Sequence, residues 1–325
     1  MIPYIHVPDL KLGPLTLHPF GLLVATGVIV GTWLATRRAK QRGMDLRKLN
    51  SFITWMLVAG FMGGHMFVEI FYHPSELWPK GAWTWEKGPW SILWLWQGLS
   101  SFGGFLGALI GIILWKFFDS TPWVVLGPIT IPKFFKRKMA MPIMPLADLI
   151  LSVYPVAWIF GRSGCSVVHD HPGAKATADS LLAVAYGRGP ITEYGPIQFI
   201  MGNAPQYDLG MLEMMFTCII AFFFAITWRK KLPTGSYIIA TAFAYAPVRF
   251  VMDFFRITEG DSADIRYGTL TFAQYCCLAL LVFGGVMIAV VRANQKKGFD
   301  PQELLLEGKD LPTATADSDT TPKEA

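Results

Sequence analysis

The chain has 325 residues, of which 53% are hydrophobic and only 16% are charged. Soluble domains carry about 25% charged residues, so this composition excludes an ordinary soluble domain and indicates a membrane protein with several spans. The formal net charge is +5, and the basic residues fall in short clusters between apolar runs, which argues against a nucleic-acid partner. We expect one polytopic membrane domain over residues 1–298 and a polar, disordered tail over 299–325.

Seven apolar segments are long enough to cross a bilayer, because about 20 residues span the hydrocarbon core as a helix. They cover residues 20–36, 52–72, 92–118, 146–165, 209–228, 236–255 and 270–291. The third segment is polar and rich in glycine at its centre, so a re-entrant loop followed by a shorter helix is an alternative there. The sequence therefore predicts an all-α integral membrane protein, a bundle of about seven transmembrane helices.

Lys and Arg are concentrated in every second connection, after the first, third, fifth and seventh predicted spans. By the positive-inside rule, the N-terminus lies outside and the C-terminus lies in the cytoplasm. The longest outer connection, about 166–207, is expected to form a small extracytoplasmic head. An interfacial aromatic belt is favoured over a binding site for the tryptophans of the second outer connection, which are Trp78, Trp83, Trp85, Trp90, Trp94 and Trp96.

Ionisable groups within or at the ends of the predicted spans are costly and are usually functional. These groups are His65, Glu69, Asp148, Arg162, Asp170, Glu213, Arg249, Asp253 and Arg256. Tyr245, Arg249 and Asp253 are spaced four apart, which puts them on one helix face. An ion pair that joins two helices is one interpretation. A shared anion site of Arg162 and Arg249 is the other, because two planar guanidinium groups suit a phosphate.

Several short motifs follow one another along the chain. They are Leu17-His18-Pro19-Phe20-Gly21-Leu22, Thr36-Arg37-Arg38-Ala39, Gly103-Gly104-Phe105-Leu106-Gly107, Asp148, Gly161-Arg162-Ser163-Gly164 through Asp170 and Gly173, Tyr245 with Arg249 through Arg256, and Gln274. In this order and with similar spacing, the set resembles the prolipoprotein diacylglyceryl transferase family from about Leu17 to Ala293. Any one glycine motif would be weak, whereas the ordered set is specific.

The resemblance implies a transferase of the bacterial cytoplasmic (inner) membrane with its active site on the extracytoplasmic side. Its partners would be phosphatidylglycerol, the lipobox cysteine of prolipoprotein signal peptides, and membrane lipids. The diacylglyceryl group would pass from phosphatidylglycerol to the cysteine thiol, a thioether would form and glycerol phosphate would leave, as the first step of lipoprotein maturation. The resemblance calls for no cofactor and no metal, and the four cysteines show no metal-ligand spacing.

The resemblance also implies roles for individual residues. Arg162 and Arg249 would hold the phosphate and stabilise the charge that grows on the leaving group. Asp253 and Arg256 would orient the site, and Tyr245 would bond lipid or substrate. Further substrate contacts are expected at Asp170, Gly103 and Gly104.

The chain departs from the family pattern where a base is expected. Phe102 stands where the family commonly has a histidine, and Phe20 stands where it has a tyrosine of the first helix. Cys165 replaces an asparagine and is either a reactive thiol or a filler at a helix contact. The remaining candidates for the base are His65, His169, Asp170 and His171, since histidine suits proton transfer near neutral pH. The alternatives are a packed histidine at His65 and a solvated turn at His169 and His171.

Two other functions remain open at this level. A diverged member of the family without the transfer activity is one, because Phe20 and Phe102 cannot exchange a proton. A lipid-binding or transport protein that uses the two arginines only to hold an anionic headgroup is the other. The lack of a strong internal repeat argues against transport.

Overall fold

The computed structural model describes residues 1–13, 15–72, 77–78, 84, 88, 90, 100–126, 129–257 and 266–306. Most of this part of the chain is helical. Two short turns extend helices: the π-helical turn Val68–Tyr72 and the 3-10 turn Asp253–Phe255. The helices are α1 (Pro19–Gln41), α2 (Leu46–Phe67), α3 (Ser101–Phe117), α4 (Met144–Val168), α5 (Leu209–Ile226), α6 (Ser236–Met252) and α7 (Phe272–Lys296).

Among the described residues, six helices are long and apolar enough to cross a membrane. Each coincides with one of the predicted spans, which confirms an integral membrane protein that is mostly helical. The exception is α3, which has 17 residues and begins at Ser101, later than the predicted start of the third span. Its expected first residues, 92–99, and four of the clustered tryptophans lie outside the described residues. These four are Trp83, Trp85, Trp94 and Trp96.

The chain forms two compact units, and each is described by itself. The first unit consists of Met1–Arg38 and Ala147–Asp300, and the second consists of Ala39–Leu146 and Pro301–Ala325. The arginines of the candidate site and the segment 166–207 belong to the first unit, whereas His65, Gly103 and Gly104 belong to the second.

The first unit also contains a six-stranded mixed sheet, which the predicted all-α bundle did not include. Its order is β6-β10-β7-β1-β9-β8, with β1 parallel to β7 and antiparallel to β9. Pairing between the N-terminus and a segment about 180 residues later leaves no local sequence pattern, which is why it was not predicted. The strands are β1 (Ile2–His6), β6 (Pro172–Lys175), β7 (Ala183–Tyr186), β8 (Ile191–Tyr194), β9 (Ile197–Ile200) and β10 (Ala204–Asp208).

Three two-stranded ladders complete the strand content of the described residues. In the second unit the longest of them follows α3 directly. The pairs are β2 (Leu10–Leu12) with β3 (Leu15–Leu17), β4 (Phe118–Leu126) with β5 (Ile129–Lys136), and β11 (Arg266–Tyr267) with β12 (Leu270–Thr271).

Small residues and one buried carboxylate set the helix contacts of the first unit. A Cβ at Gly27 of α1 would lie 2.8 Å from the Ala157 carbonyl oxygen of α4, so only glycine permits this approach. Asp148 of α4 is buried and accepts hydrogen bonds from the backbone N–H groups of Tyr237 (2.7 Å) and Ile238 (3.1 Å). Because the first N–H groups of a helix have no partner within it, Asp148 caps α6 from a neighbouring helix.

In the second unit, α2 and α3 pack through glycines. A Cβ at Gly107 would lie 2.2 Å from the Ala59 carbonyl oxygen. Because this oxygen belongs to the backbone of α2, it cannot rotate away as a side chain could, and the two helices would have to move apart. The start of the expected disordered tail is folded in this unit. Pro301–Leu305 forms a 3-10 turn, Leu305 is buried, and its carbonyl accepts a hydrogen bond of 2.9 Å from the Asp45 N–H. Residues from 307 onward lie outside the described residues.

Candidate active site

Glu213 of α5 connects the two arginines that were expected to hold a phosphate. Its Oε1 lies 3.0 Å from Nε of Arg162 on α4, and its Oε2 lies 3.9 Å from Nε of Arg249 on α6. The Glu213 side chain is 4% exposed, and the arginines are 10% and 13% exposed. Three helices of the first unit therefore meet at one buried ionic cluster.

Two aromatic donors complete the surroundings of Glu213. Tyr245 donates a 2.6 Å hydrogen bond to Oε1, and the Trp158 indole N–H donates one of 3.0 Å to the same oxygen. The Arg162 guanidinium also stacks over the Trp158 ring, 4.7 Å from its centroid. Two hydrogen-bond donors and two cations thus surround one carboxylate.

Asp253 joins Arg249 to a second cation and to the next helix. Its Oδ1 lies 2.8 Å from Arg249 Nη1 and 2.8 Å from Arg256 Nε. Its Oδ2 accepts a short hydrogen bond from Thr271, which is the N-cap of α7 and forms a capping box with Gln274. The two expected orienting residues, Asp253 and Arg256, are therefore in direct contact with each other, and Asp253 also contacts Arg249.

Tyr154 adds a buried polar atom without a partner. Its hydroxyl has no hydrogen bond within the described part of the chain, although its ring stacks on Trp158 at 5.3 Å. It interacts electrostatically with Tyr245, Arg162 and Glu213. Since buried hydroxyl groups are nearly always satisfied, this atom is available to a ligand in the cluster.

Some guanidinium nitrogens of Arg162 and Arg249 make no hydrogen bond within the described residues. Arg162 uses Nε towards Glu213 and Nη1 towards the Cys165 sulfur at 3.8 Å, and Arg249 uses Nη1 towards Asp253. Within the described residues, Nη2 of each guanidinium makes no hydrogen bond. The Nη2 nitrogens of the two arginines and the Tyr154 hydroxyl are donors of the kind that an oxyanion requires.

His169 lies in a network at the end of α4, not in a solvated turn. Its side chain is only 6% exposed. Nδ1 lies 2.7 Å from Asp208 Oδ2, Nε2 lies 3.1 Å from the Ile5 carbonyl oxygen, and the ring stacks on Tyr4 at 3.8 Å. Both ring nitrogens are thus engaged within the protein. Asp208 in turn caps α5 by accepting from the Met211 N–H, so this network fixes the helix that carries Glu213.

Tyr186 closes the same network. Its hydroxyl donates a 3.1 Å hydrogen bond to Asp208 Oδ2. Burial, and next the charge of Asp208, raise the pKa of the Tyr186 hydroxyl, and the same two causes raise the pKa of Tyr4. Both phenols are therefore neutral at physiological pH.

Asp170 and His171 follow on the same turn and are more accessible, with side chains 39% and 29% exposed. The two side chains are hydrogen-bonded to each other through His171 Nδ1 and Asp170 Oδ1. A ligand atom from each lies within 4.8 Å of the other and of the buried Cys165 sulfur. Because Cys165 contacts Arg162, this polar group lies beside the arginine cluster.

The other expected site residues belong to the second unit. His65 is buried on the last turn of α2. Gly103 lies on the α2-facing side of α3, where a Cβ would come within 2.5 Å of the Gly63 carbonyl oxygen, and Gly104 is adjacent. Phe102 is 39% exposed and meets Phe67 edge-on, so a proton acceptor is absent at this position of the chain.

Phe20, the second departure from the family pattern, belongs to the first unit. It packs against Gly164, where a Cβ would come within 3.0 Å of the Phe20 ring. Glu213 was among the ionisable groups of the predicted spans, but no role in the site was predicted for it. The signal was present, since a single carboxylate in the otherwise apolar segment 209–226 has to be paired. Its partners lie on other helices, so residue spacing in the sequence does not identify them.

Comparison with known proteins gives a consistent result over almost the whole chain. A family model described as prolipoprotein diacylglyceryl transferase matches residues 9–290. Phosphatidylglycerol–prolipoprotein diacylglyceryl transferases of Francisella tularensis subsp. mediasiatica and of subsp. novicida are each 24% identical to the chain over 302 residues. The match covers 91% of the chain and 96% of each relative.

Proposed function

The chain belongs to the prolipoprotein diacylglyceryl transferase family, and on this premise we propose that it transfers the diacylglyceryl group of phosphatidylglycerol to the lipobox cysteine of a prolipoprotein. The observation that carries the proposal is the buried cluster of Arg162, Glu213 and Arg249 on three apolar helices. Two cations at membrane depth, with unused donors, suit the anionic headgroup of a lipid.

The phosphate binds between the two guanidinium groups in this proposal. Nη2 of Arg162, Nη2 of Arg249 and the Tyr154 hydroxyl are the donors that approach its oxygens. Glu213 and Asp253 hold the guanidinium planes in place through Nε and Nη1. Preorganised cations in a low-dielectric site stabilise the charge that develops on the departing phosphate, and cost little reorganisation at the moment of reaction.

The reaction is a displacement at a glycerol carbon. The cysteine thiol loses its proton, its sulfur attacks the glyceryl carbon, and a C–S bond forms as the C–O bond to phosphate breaks. The bonding pair leaves on the phosphate oxygen of glycerol phosphate, where the arginines bind it. Because the thiolate is the nucleophile and a free thiol has a pKa of about 8.5, the site needs a means of activating the thiol.

The residues beside Cys165 are the candidates for this activation in the first unit. His169 engages both of its nitrogens elsewhere, which supports a positioning role. Asp170 and His171 are paired, accessible to a substrate and next to Arg162 through Cys165. His65, Gly103 and Gly104 keep their expected roles as proposals about the second unit.

The proposed placement is the bacterial cytoplasmic membrane, with the N-terminus outside and the C-terminus in the cytoplasm. The six-stranded sheet of residues 2–6 and 172–208 forms the extracytoplasmic head. The support is the alternation of basic connections along the chain. Under this topology Arg162, Asp170 and Arg256 lie towards the outer side. A fluorescent protein fused to the C-terminus would then be fluorescent, and an alkaline phosphatase fused there would be inactive.

A transfer assay tests the function. The purified protein is incubated with a lipobox peptide in vesicles of phosphatidylglycerol or, as the control, of phosphatidylethanolamine. We expect a peptide mass increase by one diacylglyceryl group only with phosphatidylglycerol. Unmodified peptide under conditions in which a relative is active would contradict the proposal. It would favour a diverged member of the family without the transfer activity, as Phe20 and Phe102 suggest. Binding of phosphatidylglycerol without transfer would favour the other alternative, a lipid-binding protein.

A further inference from the structure

We propose that the hairpin of β4 and β5 lies on the cytoplasmic leaflet of the membrane and binds the headgroups of anionic lipids. The hairpin connects α3 to the segment before α4, on the side of the membrane opposite to the candidate active site in the proposed topology. The inference rests on that proposed placement, and it does not depend on the transfer reaction.

The base of the hairpin is fixed to the end of the apolar helix α3. The Arg137 N–H donates a 2.7 Å hydrogen bond to the Phe117 carbonyl oxygen, and Arg137 Nε donates one of 3.0 Å to the Phe118 carbonyl oxygen. Arg137 Nη1 also lies 2.7 Å from Asp119 Oδ2. Because both strands are held at the last turn of α3, the hairpin begins at the level at which this helix ends.

A contact with α2 places the hairpin at the membrane interface. Phe134 of β5 meets the Trp55 ring edge-on, with the ring centroids 5.3 Å apart. Trp55 lies close to the start of the predicted span 52–72, which is its cytoplasmic end in the proposed topology. Tryptophan side chains prefer the headgroup level of the bilayer. Phe134 is therefore at the depth of the lipid headgroups.

The hairpin exposes large apolar side chains at this depth. Phe134 is 57% exposed, Phe135 is 43% exposed, and Met139 just beyond β5 is 45% exposed. Since successive side chains of a strand point to opposite faces, the two phenylalanines lie on different faces of the ladder. A two-stranded hairpin is at best marginally stable in water and needs a layer that covers it. Lipid at the same depth provides this layer.

The same segment is basic, which determines the kind of lipid. Residues 116–138 contain five lysine and arginine residues and a single acidic residue, Asp119, which pairs with Arg137. Lys136 and Lys138 are exposed beside the exposed phenylalanines. A surface that combines aromatic and basic side chains binds membranes through its apolar groups and is attracted to anionic lipids through its charges.

The charge of the hairpin also argues against a second copy of the chain as the partner. In a symmetric dimer the same surface patch faces itself, so the lysines of one hairpin would lie opposite those of the other. Like charges placed opposite each other in an interface weaken association. An anionic lipid surface has the complementary charge and is continuous with the lipid around α2 and α3.

Hydrogen–deuterium exchange of the full-length protein in nanodiscs tests the proposal. One set of nanodiscs contains phosphatidylcholine alone, and the other contains phosphatidylcholine mixed with phosphatidylserine. Phosphatidylserine is anionic but is not the proposed substrate. A lysine near an anionic surface contributes about fivefold to membrane affinity. We expect the backbone amides of 118–136 to exchange at least about fivefold more slowly with phosphatidylserine, and the difference to shrink in high salt.

A pair of double variants makes the test specific. Lys136→Gln together with Lys138→Gln should bring the exchange of 118–136 with phosphatidylserine close to that in phosphatidylcholine alone. Lys296→Gln together with Lys297→Gln is the matched control, because it removes two exposed charges at the end of α7. This control should keep the lipid dependence of the hairpin.

Three results would overturn lipid binding by the hairpin. They are equal exchange in the two lipid mixtures, a difference that persists in the Lys136→Gln, Lys138→Gln variant, and protection that appears only with two protein copies in a nanodisc, which would indicate self-association. The placement fails separately. An active alkaline phosphatase fused to the C-terminus would overturn the cytoplasmic location, whereas the exchange measurement reports lipid binding in either leaflet.

Discussion

Replacement of Glu213 by glutamine removes the carboxylate that both arginines face while it keeps the size of the side chain. The contacts of 3.0 Å to Arg162 and 3.9 Å to Arg249 correspond to attractions of about 5 and about 4 kcal/mol for unit charges at an effective dielectric constant near 20. Desolvation offsets part of this sum. A net loss of about 3–5 kcal/mol follows, as is usual when one partner of a buried ion pair is removed.

Thermal unfolding in detergent, followed by tryptophan fluorescence, measures this loss. Glu213→Gln should unfold several degrees below the wild type. Glu193→Gln is the matched control, because Glu193 is exposed and bonds only the surface residue Gln198 at 2.9 Å among the described residues. Its unfolding temperature should equal that of the wild type.

The response to glycerol phosphate makes the test specific. Without Glu213, the two guanidinium groups lack an anionic partner in common, so an added phosphate should stabilise the variant more than the wild type. A wild-type unfolding temperature, together with an unchanged response to glycerol phosphate, would refute the role of Glu213 in holding the arginine pair.

The remaining predictions concern the guanidinium group of Arg162, the N-cap of α7 and the contact of α2 with α3. Arg162→Lys keeps the charge but loses the planar donors, so the rate of peptide modification should fall at least about tenfold; an unchanged rate would show that a point charge is enough. Thr271→Val removes the cap and the bond to Asp253, which should cost about 1–2 kcal/mol in a denaturant titration. Gly107→Ala should lower the unfolding temperature, because its Cβ would lie 2.2 Å from the Ala59 carbonyl oxygen. Gly285→Ala is the control: nothing lies within 4 Å of its Cβ, so it should stabilise α7 by up to about 1 kcal/mol. Similar effects of the two substitutions would contradict the packing argument.

The membrane helices were predictable because each must present about 20 apolar residues to lipid, whatever its neighbours are. The segments 146–165 and 270–291 match Met144–Val168 and Phe272–Lys296 to within a few residues. The sheet was not predictable in the same way. Its central strand Ile2–His6 pairs with residues near 184 and 200, and such pairing depends on the fold of the whole unit.

The candidate site shows the same limit. The four-residue spacing of Tyr245, Arg249 and Asp253 predicted a common helix face, and Asp253 indeed bonds Arg249. Contacts between different helices have no fixed spacing in the sequence, so they could not be predicted in this way. Glu213 was visible as a charge in an apolar segment, but its bonds to Arg162 on α4 and Tyr245 on α6 exist only in the folded unit. His169 was a candidate base by residue type, and its contacts with Asp208 and Tyr4 could not be read from the sequence.

The most direct test of the transferase proposal is to quantify both products of one reaction. Phosphatidylglycerol labelled in its headgroup is incubated with the wild-type protein and a lipobox peptide. One molecule of glycerol phosphate should be released for each peptide that gains a thioether-linked diacylglyceryl group. Release of glycerol phosphate without modified peptide would indicate hydrolysis, and neither product would indicate lipid binding alone; each result would contradict transfer to a cysteine thiol.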